Sequence, residues 1–148
     1  MTTFLYDSAR EKFLTGDLSW TRDDIRVALL KSIPNTLVPN RPIKYSADET
    51  AQETHKSLQD LPISNLVSTA GIIYNKSFSK GIAGGDAVVF NEIPAGIEIS
   101  SVVIYKRGLT NLQSYLIAHL DTQLITDASQ QVTVQWNVVN GQSWIFRI

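Results

Sequence analysis

Val132-Thr133-Val134-Gln135-Trp136-Asn137-Val138-Val139-Asn140-Gly141-Gln142-Ser143-Trp144-Ile145-Phe146-Arg147-Ile148 is the stretch whose reading decides the fold class. Val132, Val134, Trp136 and Val138 alternate with Thr133, Gln135 and Asn137. Beyond Asn140-Gly141 the bulky Trp144, Phe146 and Ile148 alternate again, so the stretch reads as a β-hairpin. A two-residue turn at Asn140-Gly141 would pair Trp136 with Ile145 and Val134 with Arg147, setting the two bulky rows on opposite faces. A three-residue loop, Asn140 to Gln142, instead pairs Val138 with Trp144, Trp136 with Phe146 and Val134 with Ile148. One face is then aromatic and aliphatic throughout, and Gly141 is free to take a positive φ. The second register is the expectation, with Trp136 and Trp144 in the core.

Working outward, the chain from Ile63 onward consists of short alternating or apolar runs separated by turn residues. The expected strands are Asn65 to Ala70, Gly71 to Phe78, Ala87 to Asn91, Ile97 to Lys106, Leu112 to Asp121 and the two arms of the hairpin. Ser101 to Tyr105 is apolar on both faces, as a central strand covered on both sides must be, with a second sheet above and the N-terminal helix below. In the next strand Leu112, Leu116, Ala118 and Leu120 form one face, and Tyr115, Ile117 and His119 form the other.

Toward the N-terminus, Phe4 to Leu14 has helical spacing, with Leu5, Ala9 and Phe13 on one stripe and Gly16 as the stop. Phe4 and Tyr6 read as exposed, which makes them candidates for contact with a partner. Asp24 to Lys31 reads as a strand. Pro34, Pro39 and Pro42 then impose a long connection, Ser32 to Ala47, in which Arg41, Lys44 and Tyr45 are further candidate contacts. Asp48 reads as the N-cap of a polar helix that ends near Asp60 and is anchored by Leu58 and Leu61. The expected whole is mainly β: one domain over residues 1–148, a β-sandwich or barrel-like antiparallel domain with an N-terminal amphipathic helix and a second short helix. Residues 1–61 carry the helices, a strand and the proline-rich loop, and 62–148 the β core.

Composition excludes several function classes. Thirteen basic and fourteen acidic residues give a formal charge of -1, which offers no electrostatic footprint for nucleic acid or an anionic membrane. The absence of cysteine removes disulfides and thiolate metal sites, so stability has to come from packing. The first residues lack a basic and then apolar leader pattern, and no apolar run reaches membrane-spanning length, so the expectation is a soluble product of the cytoplasm.

The candidates for chemistry are weak. Ser79 to Asp86 is glycine-rich but lacks the Gly-Lys-Ser/Thr ending of a phosphate loop, and reads as a β-turn. His119 and Asp121 lie two apart on one strand with Ser114 nearby, but alternation turns Ser114 the other way, so no nucleophile and base are specified. His55 is the only other histidine, and two separated histidines make no metal site. Asp23, Asp24, Asp121 and Asp127 lack calcium-loop spacing and read as turn and capping residues. Asn75-Lys76-Ser77 is a formal glycosylation sequon placed inside an expected strand. Of the three tryptophans only Trp20 stays open to stack on sugars or bases. No catalytic residue, cofactor or metal is expected, and the chain is read as a non-enzyme.

Leu5-Tyr6-Asp7-Ser8-Ala9-Arg10-Glu11-Lys12-Phe13-Leu14-Thr15-Gly16-Asp17 with Trp20, Val103 to Lys106, Leu116 to Thr122, Val132 to Trp136 and Ile145 to Ile148 together resemble a family of small tailed-bacteriophage proteins. The motifs run in the same order along the whole chain. The connection around Asn137 to Ser143 and the polar segment Ser46 to Asp60 are longer here. The resemblance implies a virion component, foremost a capsid cement (decoration) protein that binds the major capsid protein lattice, as a homotrimer at a local symmetry axis, after assembly in the host cytoplasm. A neck, tail or fibre component is the alternative, and a virion-associated hydrolase the remote one.

Overall fold

The computed structural model describes residues 4–32 and 49–148. Positions 33–48, with the three loop prolines, the candidate contacts Arg41, Lys44 and Tyr45, and the expected N-cap Asp48, lie outside them. The chain opens with a short strand β1 (Phe4–Leu5), helix α1 (Asp7–Thr15) and strand β2 (Ile25–Lys31). Helix α2 (Glu49–Thr54) and two single 3-10 turns lead into β3 (Leu66–Ile72). The remaining strands are β4 (Ser77–Ser79), β5 (Ile82–Gly84), β6 (Val88–Phe90), β7 (Glu98–Lys106), β8 (Tyr115–Ile125), β9 (Val132–Val134), β10 (Asn137–Val139), β11 (Gln142–Trp144) and β12 (Phe146–Arg147). The domain is mainly β and sandwich-like, with antiparallel sheets and two helices.

The main sheet has the order β1-β8-β7-β2-β3. β7 is the central strand that its two apolar faces require, and its residues from Ile99 to Tyr105 are all buried. Register places Val27, Leu29, Val102, Ile104, Ala118 and Leu120 on one face. The smaller sheets, β12-β5-β4 and β6-β9, cover that face. Gly71 on β3 lies so close beneath β6 that a Cβ there would meet the Phe90 ring at 2.3 Å. Ala28, Leu30, Val103 and His119 are buried on the opposite face, and Ala51, Leu58 and Leu61 belong to the same core. The expected polar helix does not run to Asp60: α2 ends at Thr54, and Leu58 and Leu61 are buried from the separate 3-10 turn beyond it. Helix α1 packs chiefly against β8 and not under β7. Lys12 lies 4.0 Å over the Tyr115 ring there.

Several expectations need correction. Phe4 and Leu5 do not begin the helix. They pair with His119 and Ala118 as an edge strand, and α1 starts at Asp7, whose carboxylate suits the positive end of the helix dipole. Gly16 stops the helix in the left-handed conformation, φ 84°, as expected. Asn65 to Phe78 is not two abutting strands. β3 runs through Gly71 without a break, because the missing side chain is what lets β6 cross above it. Asn75, expected inside a strand, sits at a bend with φ 51°.

The C-terminal stretch differs most. The hairpin takes the two-residue turn: Val139 pairs with Gln142 and Asn137 with Trp144, and Asn140 and Gly141 both have positive φ, 52° and 75°. The conflict between the two bulky rows is resolved by parting the arms. Upstream, β9 leaves to pair with β6, Val134 opposite Val88; downstream, β12 leaves to pair with β5, Phe146 opposite Ala83. Val132, Val134 and Phe146 are thereby buried against their separate neighbours, while the hairpin tip carries Val138 and Val139 into solvent and Ile148 stays 51% exposed. Ser79 to Asp86 begins with another tight turn, Lys80-Gly81, joining β4 to β5.

Candidate functional site

The three tryptophans exchange the roles expected of them. Trp20 is 3% exposed: its indole N–H donates to the Gly84 carbonyl at 3.0 Å, and its ring meets Phe146 edge-on at 5.0 Å. It is a core residue. Trp136 and Trp144 stay half-exposed at the root of the hairpin, where the parted arms leave their rings uncovered on one side. The Trp136 N–H donates to the Asp86 carbonyl at 2.8 Å, which fixes that ring.

These two rings line a groove of about 600 Å3 between the β1-β8 edge and the C-terminal strands. Phe4, Leu120 and Phe146 contribute to its apolar lining, while Asp121, Thr122, Gln135 and Asn137 bring polar groups to it. Its charged lining residues are Arg10 and Arg147 against Asp121. Asp121 also lies 3.8 Å from Nε2 of His119, which is fully buried and stacked on Phe4 at 5.2 Å. Ser114, the third member of the weighed constellation, is elsewhere: its hydroxyl donates to the Thr110 carbonyl at 2.8 Å and accepts from Gly108 N–H at 3.0 Å. No nucleophile and base are brought together by these residues.

A second groove, about 610 Å3, is apolar. Phe13, Leu18 and Trp20 line it, and Leu14, Phe78 and Ile148 project there although they are 86%, 43% and 51% exposed. Its charged lining residues are Arg10 and Arg22. Leu14 is one position off the buried stripe of α1, so periodicity could have marked it as uncovered. Phe78 shares a face with the buried Ala83 and Phe146 and is left 43% exposed because β4 is the edge of its sheet, which periodicity does not record.

The expected exposure of Phe4 and Tyr6 is corrected. Tyr6 is fully buried, with its backbone N–H bonded to the Ile117 carbonyl at 3.0 Å, and Phe4 is partly covered by Tyr6 and His119. Phe4 keeps a place on the wall of the first groove; Tyr6 has no surface to offer. His55 sits at the end of α2, its N–H bonded to Ala51.

The carboxylates act as the structural groups they resemble. Asp23 accepts from Ser19 N–H at 2.7 Å and pairs with Lys106 at 3.4 Å. Asp24 takes the Arg26 guanidinium at 3.0 and 3.1 Å, and that bond holds its carboxyl below the usual range. Lys76 donates to the Asp23 carbonyl, and burial pulls its ammonium pKa down. Asp127 accepts from Ser129 N–H at 2.9 Å and from its hydroxyl, and both lower its pKa. Among the described residues no group of three or more His, Cys, Asp or Glu could hold a metal ion, and no helix is long and apolar enough to cross a membrane. Comparison of the chain with protein-family models, with curated proteins and with solved structures finds no match.

Proposed function

We propose that this chain is a structural component of a tailed-phage virion, a capsid decoration protein that binds and stabilises the lattice of the major capsid protein. The observation that carries the reading is the second groove. Leu14, Phe78 and Ile148 stand around an apolar cleft whose charged lining residues are both arginines. Bulky apolar side chains left this exposed mark a protein-contact surface, and two guanidiniums at that surface select a partner that brings carboxylates with its apolar groups. The resemblance of the N-terminal, central and C-terminal motifs to small phage proteins supplies the identity of that partner.

The mechanism is mass action. Binding the expanded lattice better than the unexpanded one stabilises it by the difference in affinity, with no covalent step, cofactor or metal. Repetition over a symmetric shell multiplies a modest single contact, and a homotrimer placed at a local threefold axis would engage three contacts at once. In this reading the protein is not an enzyme, contacts neither nucleic acid nor membrane, and resides on the capsid surface after assembly in the host cytoplasm.

Quantitative mass spectrometry of purified virions tests it. A copy number equal to that of the major capsid protein, or a fixed simple fraction of it, is expected. A few copies per particle would move the protein to the neck, tail or a fibre, and absence from particles would overturn the virion role.

A further inference from the structure

We infer that the first groove is a binding site for an acidic saccharide, a sugar carrying a carboxylate. This goes beyond the capsid role and does not depend on it. The site is built by the parting of the hairpin arms, which leaves the half-exposed indoles of Trp136 and Trp144 on one cavity beside the β1-β8 edge. Its volume of about 600 Å3 is that of a small-molecule site. A pyranose ring has one face of C–H bonds and an equator of hydroxyls, so it needs a flat aromatic wall beside a polar one. Both kinds of group line this groove: the indoles of Trp136 and Trp144, and the polar Asp121, Thr122, Gln135 and Asn137. Trp136 is held in place by its bond to the Asp86 carbonyl, so that wall is set before any ligand arrives.

Charge selects the kind of sugar. Arg10 and Arg147 outnumber Asp121, leaving an excess of one positive charge on the lining, and a guanidinium grips a carboxylate through two parallel hydrogen bonds. Sugar hydroxyls can donate to the acceptors of the lining, Asp121 among them, which a fatty anion does not. A fatty anion would leave the amides of Gln135 and Asn137 and the Thr122 hydroxyl without partners, a cost that rejects it. A nucleoside triphosphate carries more negative charge than two arginines set against an aspartate can match.

The test is a titration of the isolated protein with sialyllactose and with trigalacturonate, using lactose as the uncharged counterpart, followed by tryptophan fluorescence and calorimetry. Saturable binding of at least one acidic sugar is expected, at least tenfold tighter than lactose. Trp144→Ala, Arg10→Gln and Arg147→Gln should each weaken it about tenfold. Both arginines are exposed, so their variants report on the site even where Trp144→Ala fails to fold. No saturable binding of either acid, equal binding of lactose, or binding unchanged in both arginine variants would each overturn the assignment.

Discussion

At Gly71 strand β6 packs directly on β3, and replacing the glycine with alanine measures that contact. The added methyl would lie 2.3 Å from Cζ and 2.8 Å from Cε2 of Phe90, and 2.8 Å from Cγ1 of Val88. Phe90 and Val88 are both buried, so neither can swing into solvent, and β6 must move or the ring must leave its rotamer. Overpacking of this kind costs about 1–3 kcal/mol. Alanine also stiffens the unfolded chain, which returns about 0.4–1 kcal/mol. A clash at 2.3 Å with a buried ring belongs to the upper half of that cost, so the net expectation is a loss of about 1–2.6 kcal/mol, seen as a fall of roughly 2–10 °C in Tm for a domain of this size. Urea unfolding followed by fluorescence should give a lower midpoint with an unchanged slope. Phe90→Leu removes the two ring atoms nearest the new methyl, so in that background Gly71→Ala should cost at least ~1 kcal/mol less than in the native chain. A loss below about 0.5 kcal/mol for Gly71→Ala, or additive costs in the double variant, would refute the packing of β6 on β3.

Three further perturbations probe other parts of the fold. Trp20→Ala empties a buried site and strands the Gly84 carbonyl, so denaturation should show a loss of about 3–5 kcal/mol, whereas a near-neutral result would return Trp20 to the surface. Tyr105 is buried with its hydroxyl donating to the Thr69 carbonyl at 2.5 Å, and burial pushes the phenol above its ordinary 10.0 against the pull of Arg26 and Arg107. The unfolded chain therefore gives up this proton first, and stability should fall as pH rises past 10.0; Tyr105→Phe should lessen that fall, and an identical alkaline profile would count against the buried phenol. Gly141→Ala forces a side chain into φ 75° and should lower stability by about 1–2 kcal/mol in the same urea assay, and a near-neutral result would count against the left-handed turn.

Legibility followed the number of partners an element has. β7 could be placed from sequence because its apolar residues occupy both faces, which only an interior strand tolerates, whereas β2 was legible as a strand but not as the neighbour of β7. Gly16 was equally readable, since it answers to a local rule of helix ending, and Leu58 and Leu61 were legible as buried residues though not as part of the helix expected to carry them. The C-terminal stretch misled because alternation was extended along a whole hairpin as though each arm had a single neighbour. β9 and β12 take their neighbours from β6 and β5, and no local pattern records those distant pairings. The roles of the tryptophans were lost with the register, since the parting of the arms uncovers Trp136 and Trp144 and seats Phe146 against Trp20. Tyr6 was misread because a helical stripe was drawn through residues that belong to β1 and to the turn out of it.

The parted arms also govern how the chain reaches its native state. Trp20 bonds to a carbonyl 64 positions away, and Ser143 closes on Gly85 across 58. β4 and β5 can pair locally through Lys80-Gly81, but β12 on β5 and β9 on β6 are distant pairings, so the entropy of closing long loops is spent before either small sheet is complete. Folding should accordingly run in milliseconds to seconds, the range of β topologies dominated by distant pairings. Until β12 docks, β5 keeps an open hydrogen-bonding edge, and the equivalent strand of a second molecule fits that edge as well as its own does. At high protein concentration refolding therefore has a built-in route to strand-exchanged dimers, and dilution is the condition under which each chain closes on itself.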